Sequence, residues 1–134
     1  MFKKFLKLLP SQVVYAHCDI PCGIYDPTAS QTAAKTVLVM VQKLKALPED
    51  DLNNKVRMIM NKEEHAGICK KELLILWTDY FKEEHLEKFP NLHETFWQAA
   101  KLCSYNKQHI EEEKAQELVA AVDKIADIFE QSKK

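Results

Sequence analysis

The sequence predicts an all-α protein, an antiparallel four-helix bundle, on the basis of two observations. Apolar residues recur at steps of three and four through four separate segments, which is the pattern of helices with one buried face. The 134 residues include only 2 Gly, too few for an all-β sandwich with many tight turns or for a glycine-rich phosphate loop. Because four such helices joined by short connections can bury one another's apolar faces, they are expected to pack as a bundle.

The first predicted helix follows Asp26-Pro27, a pair that favours a helix start because Asp can cap and Pro is tolerated in the first turn. It covers residues 30–47 and ends before Pro48. Its predicted inner face comprises Ala34, Val37, Leu38, Val41, Leu44 and Leu47.

One long second helix is predicted over residues 52–81, since the apolar spacing continues and no proline interrupts it. Gly67 lies inside this helix, and because glycine costs about 1 kcal/mol relative to alanine it is the position where a break would be expected. The predicted inner face comprises Val56, Ile59, Met60, Ala66, Leu73, Leu74, Trp77, Tyr80 and Phe81.

Two further helices complete the bundle. The third is predicted over residues 92–105, after a turn at Pro90, and its expected inner face comprises Phe96, Trp97, Ala100 and Cys103. The last helix carries a seam with spacings of 4, 3 and 4, typical of a heptad pattern. That seam comprises Leu118, Val122, Ile125 and Phe129.

Charge and hydropathy exclude several classes of partner. The formal net charge is −1, which gives no bulk electrostatic reason to bind a nucleic acid or an acidic membrane. No apolar run reaches the roughly 18 residues that a membrane span needs. We therefore expect neither a nucleic-acid-binding nor a membrane protein.

Residues 1–16 differ in composition from the rest and are predicted to be a leader removed on maturation. They contain Lys3, Lys4 and Lys7 and no acidic residue, with a short apolar part and Ala16 at the end. As a secretion signal the segment is weak, because Lys7 interrupts an apolar stretch shorter than the usual ~7–15 residues. The alternative is an amphipathic N-terminal helix that stays attached.

Two of the four cysteines, Cys69 and Cys103, lie alone inside helical patterns. A chain with 46% hydrophobic residues does not need disulfides to hold its core together. These cysteines are therefore predicted to be small, buried, apolar residues, with a long-range disulfide as the alternative.

The other two cysteines belong to a segment, residues 17–27, that concentrates chemistry. His17, Cys18 and Cys22 bring one imidazole and two thiols within six residues, and Pro21 and Gly23 bend the backbone around the second thiol. Thiolates are soft metal ligands, and imidazole suits nickel, copper, zinc and iron. A structural zinc site would need four side chains, but the other cysteines lie in distant predicted helices and the remaining histidines show no ligand spacing with them. From residue types alone, a metal site and a Cys18–Cys22 disulfide both remain open.

The order His17-Cys18-Asp19-x-Pro21-Cys22-Gly23-x-Tyr25-Asp26-Pro27 resembles the nickel hook of the nickel-containing superoxide dismutases. A second block is also similar to that family. It runs Leu76-Trp77-Thr78-Asp79-Tyr80-Phe81-Lys82 and continues from His85 through Glu87-Lys88 and Pro90 to Leu92-His93. The resemblance covers nearly all of residues 17–134.

The resemblance implies a leader at 1–16, cut between Ala16 and His17, and a four-helix-bundle domain at 17–134 whose irregular N-terminal metal hook is residues 17–25. One nickel ion per subunit would be bound by the α-amino group and imidazole of His17, the backbone nitrogen of Cys18 and the thiolates of Cys18 and Cys22. Ni(II)/Ni(III) cycling would convert superoxide to dioxygen and hydrogen peroxide.

Other site residues are implied in the same way. Tyr25 and Tyr80 match the tyrosines that narrow access to the nickel, Asp19 would hold the hook's shape, and Lys82 would attract the superoxide anion. Two positions depart from the family pattern: Ala33 replaces a frequent glutamate, and His65 replaces a basic or amide side chain. We therefore expect a different support for the axial imidazole, with His65 a candidate to contact His17.

The resemblance further implies a cytoplasmic homohexamer matured by a leader peptidase, with a possible nickel chaperone. Two alternatives come from other functional classes. One is a non-enzymatic helical bundle with a Cys18–Cys22 disulfide, and the other is a metal carrier that does not consume superoxide.

Overall fold

The computed structural model describes residues 23–134. Over that range the chain forms α1 (Thr28–Ala46), α2 (Leu52–Ile75), a π-helical turn (Leu76–Tyr80), α3 (Glu83–Lys88), α4 (Leu92–Gln108) and α5 (Glu112–Ser132). α1 packs on α2 and α5, and α4 packs on the same two helices, so the four long helices enclose one core. The predicted all-α four-helix bundle is confirmed.

Most of the predicted inner faces form this core. Ala34, Val37 and Val41 of α1 are fully buried, and Leu44 is nearly so. On α5 the heptad seam is buried throughout, from Leu118 to Phe129. None of the helices between residues 23 and 134 is both long and apolar enough to cross a membrane.

The predicted single helix over residues 52–81 is wrong at its C-terminal end. α2 ends at Ile75, and the chain widens into the π-helical turn, closed by a 3.0 Å bond from Phe81 N to Leu76 O. Phe81 is then extended, and both Leu76 and Phe81 are buried. Since residues five apart do not share one face of an α-helix, the wider turn allows both to reach the core.

The sequence prediction also missed the short helix α3 and misplaced part of the apolar face of α2. Gly67 does not break α2. The buried face of α2 comprises Lys62, Ala66, Cys69 and Leu73. Val56 and Met60 lie away from it and are 54% and 67% exposed. On α4, Trp97 was also predicted to face inward and is 51% exposed.

Lys62 explains why the hydropathy pattern failed on α2. Its side chain is only 1% exposed, and its Nζ donates to the backbone carbonyls of Asn106 and Lys107 at the end of α4. Burial lowers the pKa of Lys62 from its ordinary value. A buried lysine therefore serves as a cap for carbonyls that the helix itself cannot satisfy.

Cys69 on α2 and Cys103 on α4 are buried, free thiols, as the sequence predicts. They face each other across the core, where a hydrogen bond between them and burial raise the pKa of the Cys69 thiol far above its ordinary value. A thiol held in this neutral form behaves as an apolar core group.

Candidate active site

The predicted metal ligands His17, Cys18 and Cys22, together with Asp19, lie outside the described residues, as does the predicted leader. Gly23 directly follows Cys22 in the sequence. Gly23 has a φ of 66°, a left-handed conformation that an L residue with a side chain rarely adopts. The predicted bend of the backbone around Cys22 stays a prediction, because Cys22 lies outside the described residues.

Asp26 fastens the segment that follows the predicted hook. Its carboxylate accepts from the hydroxyl of Thr28 at 2.6 Å and from the Thr28 backbone N–H at 2.7 Å. These two bonds, the side-chain bond first, lower the pKa of Asp26 from its ordinary value. Asp26 is not the N-cap of α1, which is Pro27 and has no side-chain cap bond; Asp26 lies one residue earlier and binds the first residue of the helix, Thr28.

Pro27 and Gln31 connect the same segment to the bundle. Pro27 is buried, and its carbonyl accepts from the Ser30 hydroxyl at 2.7 Å. The side-chain amide of Gln31 donates to Asp123 of α5 at 2.7 Å. The chain leaving the predicted hook is therefore tied to both α1 and α5.

Tyr25 and Tyr80 are brought together, as the resemblance implies. Their ring centroids are 5.6 Å apart with an interplanar angle of 56°. Both rings are half-buried and pack against the core. Tyr25, the last residue of the predicted hook, therefore lies beside the π-helical turn that carries Tyr80.

Tyr80 is enclosed by aromatic rings and held at its hydroxyl. The Phe129 ring lies 4.5 Å away between centroids, and the Phe81 ring lies 4.9 Å away in an edge-to-face arrangement. His85 stacks over Tyr80 at 5.8 Å with an angle of 14°. The Tyr80 hydroxyl is 2.8 Å from Oγ of Ser132, the last residue of α5.

Lys82 is exposed in the extended segment between the π-helical turn and α3. Its backbone N–H donates to Nδ1 of His85 at 2.9 Å, and its carbonyl accepts from His85 N at 3.0 Å. Since Nδ1 accepts, the neutral imidazole of His85 has its proton on Nε2. His85 thus fixes the backbone that presents both Tyr80 and Lys82.

His65 and Ala33 belong to different parts of the fold. His65 is half-buried on α2, and its Nδ1 donates to the carbonyl of Asn61 at 2.9 Å, which leaves Nε2 as the remaining ring nitrogen. Ala33 is 2% exposed in the core and has no side-chain acceptor. A contact between His65 and His17 stays a prediction because His17 lies outside the described residues.

Sequence reasoning missed Ser132, His85 and Phe129 as neighbours of Tyr80. His85 belongs to the block that resembles the family, but nothing in the sequence indicates that its ring stacks on Tyr80. Ser132 follows the heptad seam of α5 by three residues, and only the tertiary packing brings it to Tyr80.

Comparison with known proteins decides the family. The family model of nickel-containing superoxide dismutase matches residues 12–133 of the chain. The chain belongs to this family. It is 39% identical to a superoxide dismutase [Ni] of Streptomyces seoulensis over 119 residues, covering 87% of this chain and 89% of that protein. It is 36% identical to one from Streptomyces coelicolor, with the same coverage of both chains.

Solved nickel superoxide dismutases have the same fold. A native structure at 1.30 Å matches with a TM-score of 0.83 and 34% identity, covering 88% of this chain and all of that one. The predicted enzyme class, an oxidoreductase, and the predicted cofactor, nickel, are confirmed through membership of the nickel-containing superoxide dismutases.

The residues present in the sequence fit nickel. Two thiolates and an imidazole are donors that this metal accepts, and the left-handed Gly23 and the Tyr25–Tyr80 contact suit a hook at this place. Within residues 23–134, no group of three or more His, Cys, Asp or Glu side chains could hold a metal ion.

Proposed function

We propose that this chain dismutes superoxide to dioxygen and hydrogen peroxide with one nickel ion per subunit, held by His17, Cys18 and Cys22. The observation that carries the proposal is the Tyr25–Tyr80 contact, since it joins the last residue of the predicted hook to the second tyrosine that the resemblance assigns to the site. When bound, nickel supplies one-electron chemistry between Ni(II) and Ni(III), accepting an electron from one superoxide and returning it to the next.

The chain's own residues supply the ligands, the shape and the access. The proposal requires the thiolates of Cys18 and Cys22 to face one point, and the left-handed conformation of the next residue, Gly23, supports a turn there. The rings around Tyr80 pack one side of the site with apolar surface, which limits the approach of water and larger molecules. Asp19 stabilises the hook's backbone, and exposed Lys82 attracts the substrate anion.

Removal of the leader completes the ligand set in this proposal. With Ala16 attached, position 17 has an amide nitrogen, which lacks the basic lone pair of a free amine. Cleavage by a leader peptidase therefore controls metal loading.

The finer expectations about assembly and location belong to the same proposal. Several large apolar side chains are exposed in the described part of the chain, and they would provide contact surface for a homohexamer. They include Leu52, Val56, Met60 and Trp97. A nickel chaperone and a cytoplasmic location follow from the resemblance alone. Sedimentation of the trimmed chain at six times the subunit mass is the expected result for the assembly.

Electron paramagnetic resonance of the nickel-loaded chain beginning at His17 tests the proposed ligands. We expect a rhombic Ni(III) signal with coupling from one axial nitrogen, absent when Cys18 or Cys22 is replaced by Ser. The matched control is Cys69→Ala, which removes a core thiol and leaves the signal intact.

The same preparation distinguishes the alternatives. A chain that retains Ala16 should not give the Ni(III) signal, and an equal signal from it would contradict the proposed role of cleavage. A Cys18–Cys22 disulfide in the isolated protein, or bound zinc with no Ni(III) signal, would contradict the nickel site itself. Nickel binding without superoxide consumption would indicate a carrier.

A further inference from the structure

We propose that Ser132 is a positioning residue that accepts the proton of the Tyr80 hydroxyl, so that the phenol oxygen faces the proposed nickel site only as a hydrogen-bond acceptor. The effect on activity rests on the proposed function, in which Tyr80 borders the site. The hydrogen-bond arrangement itself does not depend on nickel.

The direction of the Tyr80–Ser132 bond follows from the second bond that Ser132 makes. Its Oγ is 2.6 Å from the carbonyl oxygen of Phe129, and a carbonyl can only accept. The single hydroxyl proton of Ser132 is therefore used on Phe129. The phenol at 2.8 Å must then donate to Ser132 Oγ, giving a relay from Tyr80 through Ser132 to Phe129.

The end of α5 is fastened, so the acceptor has a fixed position. The ammonium group of Lys88, at the end of α3, donates to the carbonyl of Gln131 at 2.8 Å. The Phe129 ring packs on Tyr80 itself, and the Lys133 ammonium group lies 4.3 Å from the centre of that ring. Tyr80 is therefore held on its ring face and at its hydroxyl by the same helical turn.

This arrangement has a consequence for substrate and inhibitor binding. A phenol whose proton is committed to Ser132 offers only lone pairs to its other neighbours, and lone pairs repel an anion. Such a tyrosine accepts a hydrogen bond from water but does not trap superoxide or another small anion. Loss of the serine hydroxyl would free the proton to donate to an anion at the site.

Vibrational spectroscopy of the full chain, without metal, tests the hydrogen bond directly. In the Raman spectrum, tyrosine gives a pair of bands at about 850 and 830 cm⁻¹. The ratio of the first intensity to the second rises when the phenol stops donating a hydrogen bond. We expect Ser132→Ala to raise this ratio relative to the unchanged chain. We expect Ser132→Thr, which keeps a hydroxyl, to give the same ratio as the unchanged chain. An unchanged ratio in Ser132→Ala, or no restoration by Thr, would overturn the proposal.

A matched control separates this effect from the general loss of a serine. Ser104 is also half-buried near the end of a helix, and its hydroxyl donates to the carbonyl of Ala100 at 3.3 Å. It accepts from Lys70 rather than from a tyrosine. Ser104→Ala should leave the doublet unchanged, and a change equal to that of Ser132→Ala would contradict the specific role of Ser132.

The nickel-loaded, trimmed chain provides the functional arm. We expect Ser132→Ala to be inhibited several-fold more strongly by azide, a small anion, and Ser132→Thr to behave as the unchanged chain. Equal azide inhibition in all three would overturn the claimed consequence. If the unchanged chain does not dismute superoxide, the proposed function fails, while the Raman comparison still decides the role of Ser132.

Discussion

The Tyr80 side chain is fixed by contacts from four parts of the fold. Phe81 comes from its own segment, His85 from α3, and Phe129 and Ser132 from the end of α5. Tyr25, the last residue of the predicted hook, supplies a further ring. The position of the phenol ring therefore depends on the packing of all these elements, and it cannot change without disturbing at least one of these contacts.

Asp26 provides a residue-scale prediction about pH. Because its folded-state pKa is lowered by Thr28, its contribution to stability is present above the unfolded-state value, ordinarily 3.8, and is lost as pH falls through the folded value. Asp26→Asn keeps an acceptor that does not titrate. We expect the unchanged chain to be more stable than Asp26→Asn by about 0.3–1 kcal/mol at pH 6.

Urea unfolding of both proteins at pH 6 and near pH 3 checks this expectation. The difference between their free energies of unfolding should shrink towards zero at the lower pH. A difference that stays constant over this range would show that the charge of Asp26 contributes nothing at the start of α1.

At the scale of elements, α2 shows what periodicity can and cannot predict. The apolar spacing correctly indicates a helix from residue 52, but the same spacing continues past Ile75, where the chain becomes a π-helical turn. The change depends on burying both Leu76 and Phe81 against other helices, which is a tertiary requirement. Lys62 misled the prediction of the buried face, since its partners are carbonyls distant in sequence.

The residues of the proposed site also fall into those that the sequence predicts and those that it does not. The order of His17, Cys18 and Cys22 is a local signature and can be identified in the sequence, and the resemblance extends it to Tyr25 and Tyr80. The roles of His85 and Ser132 depend on contacts between separate helices, and no local pattern encodes them. Side chains that orient other side chains are therefore the part of this site that sequence reasoning missed.

Replacing each of the two glycines by alanine should change the free energy of unfolding in opposite directions. Gly67 lies within α2, and a Cβ added there would meet nothing within 4 Å. Gly67→Ala should raise the free energy of unfolding by about 1 kcal/mol, because alanine is the better helix former. Gly23→Ala should lower it by about 1 kcal/mol, because an L residue is strained at a φ of 66°.

Denaturant unfolding of both variants under one set of conditions measures these two changes. A destabilised Gly67→Ala variant would indicate that the helix needs its glycine for close packing. A Gly23→Ala variant as stable as the unchanged chain would indicate that the left-handed turn beside Cys22 is not needed for the fold.

At the scale of the whole molecule, the bundle provides a rigid frame for Tyr25 and Tyr80, the two tyrosines of the proposed site. The core of α1, α2, α4 and α5 holds Tyr80 and the segment after Gly23 in fixed positions, tied by Gln31 to Asp123 and by Asp26 to Thr28. The fold alone does not decide the reaction, since helix bundles host many functions. In the proposed function the reaction is decided by the predicted ligands His17, Cys18 and Cys22.

Superoxide decay after pulse radiolysis, measured with the chain trimmed to His17 and loaded with one nickel per subunit, tests the central claim most directly. The account predicts a decay rate that rises in proportion to the concentration of loaded protein and falls to the spontaneous rate for Cys22→Ser. Trimmed protein with stoichiometric nickel that leaves the spontaneous rate unchanged would contradict it.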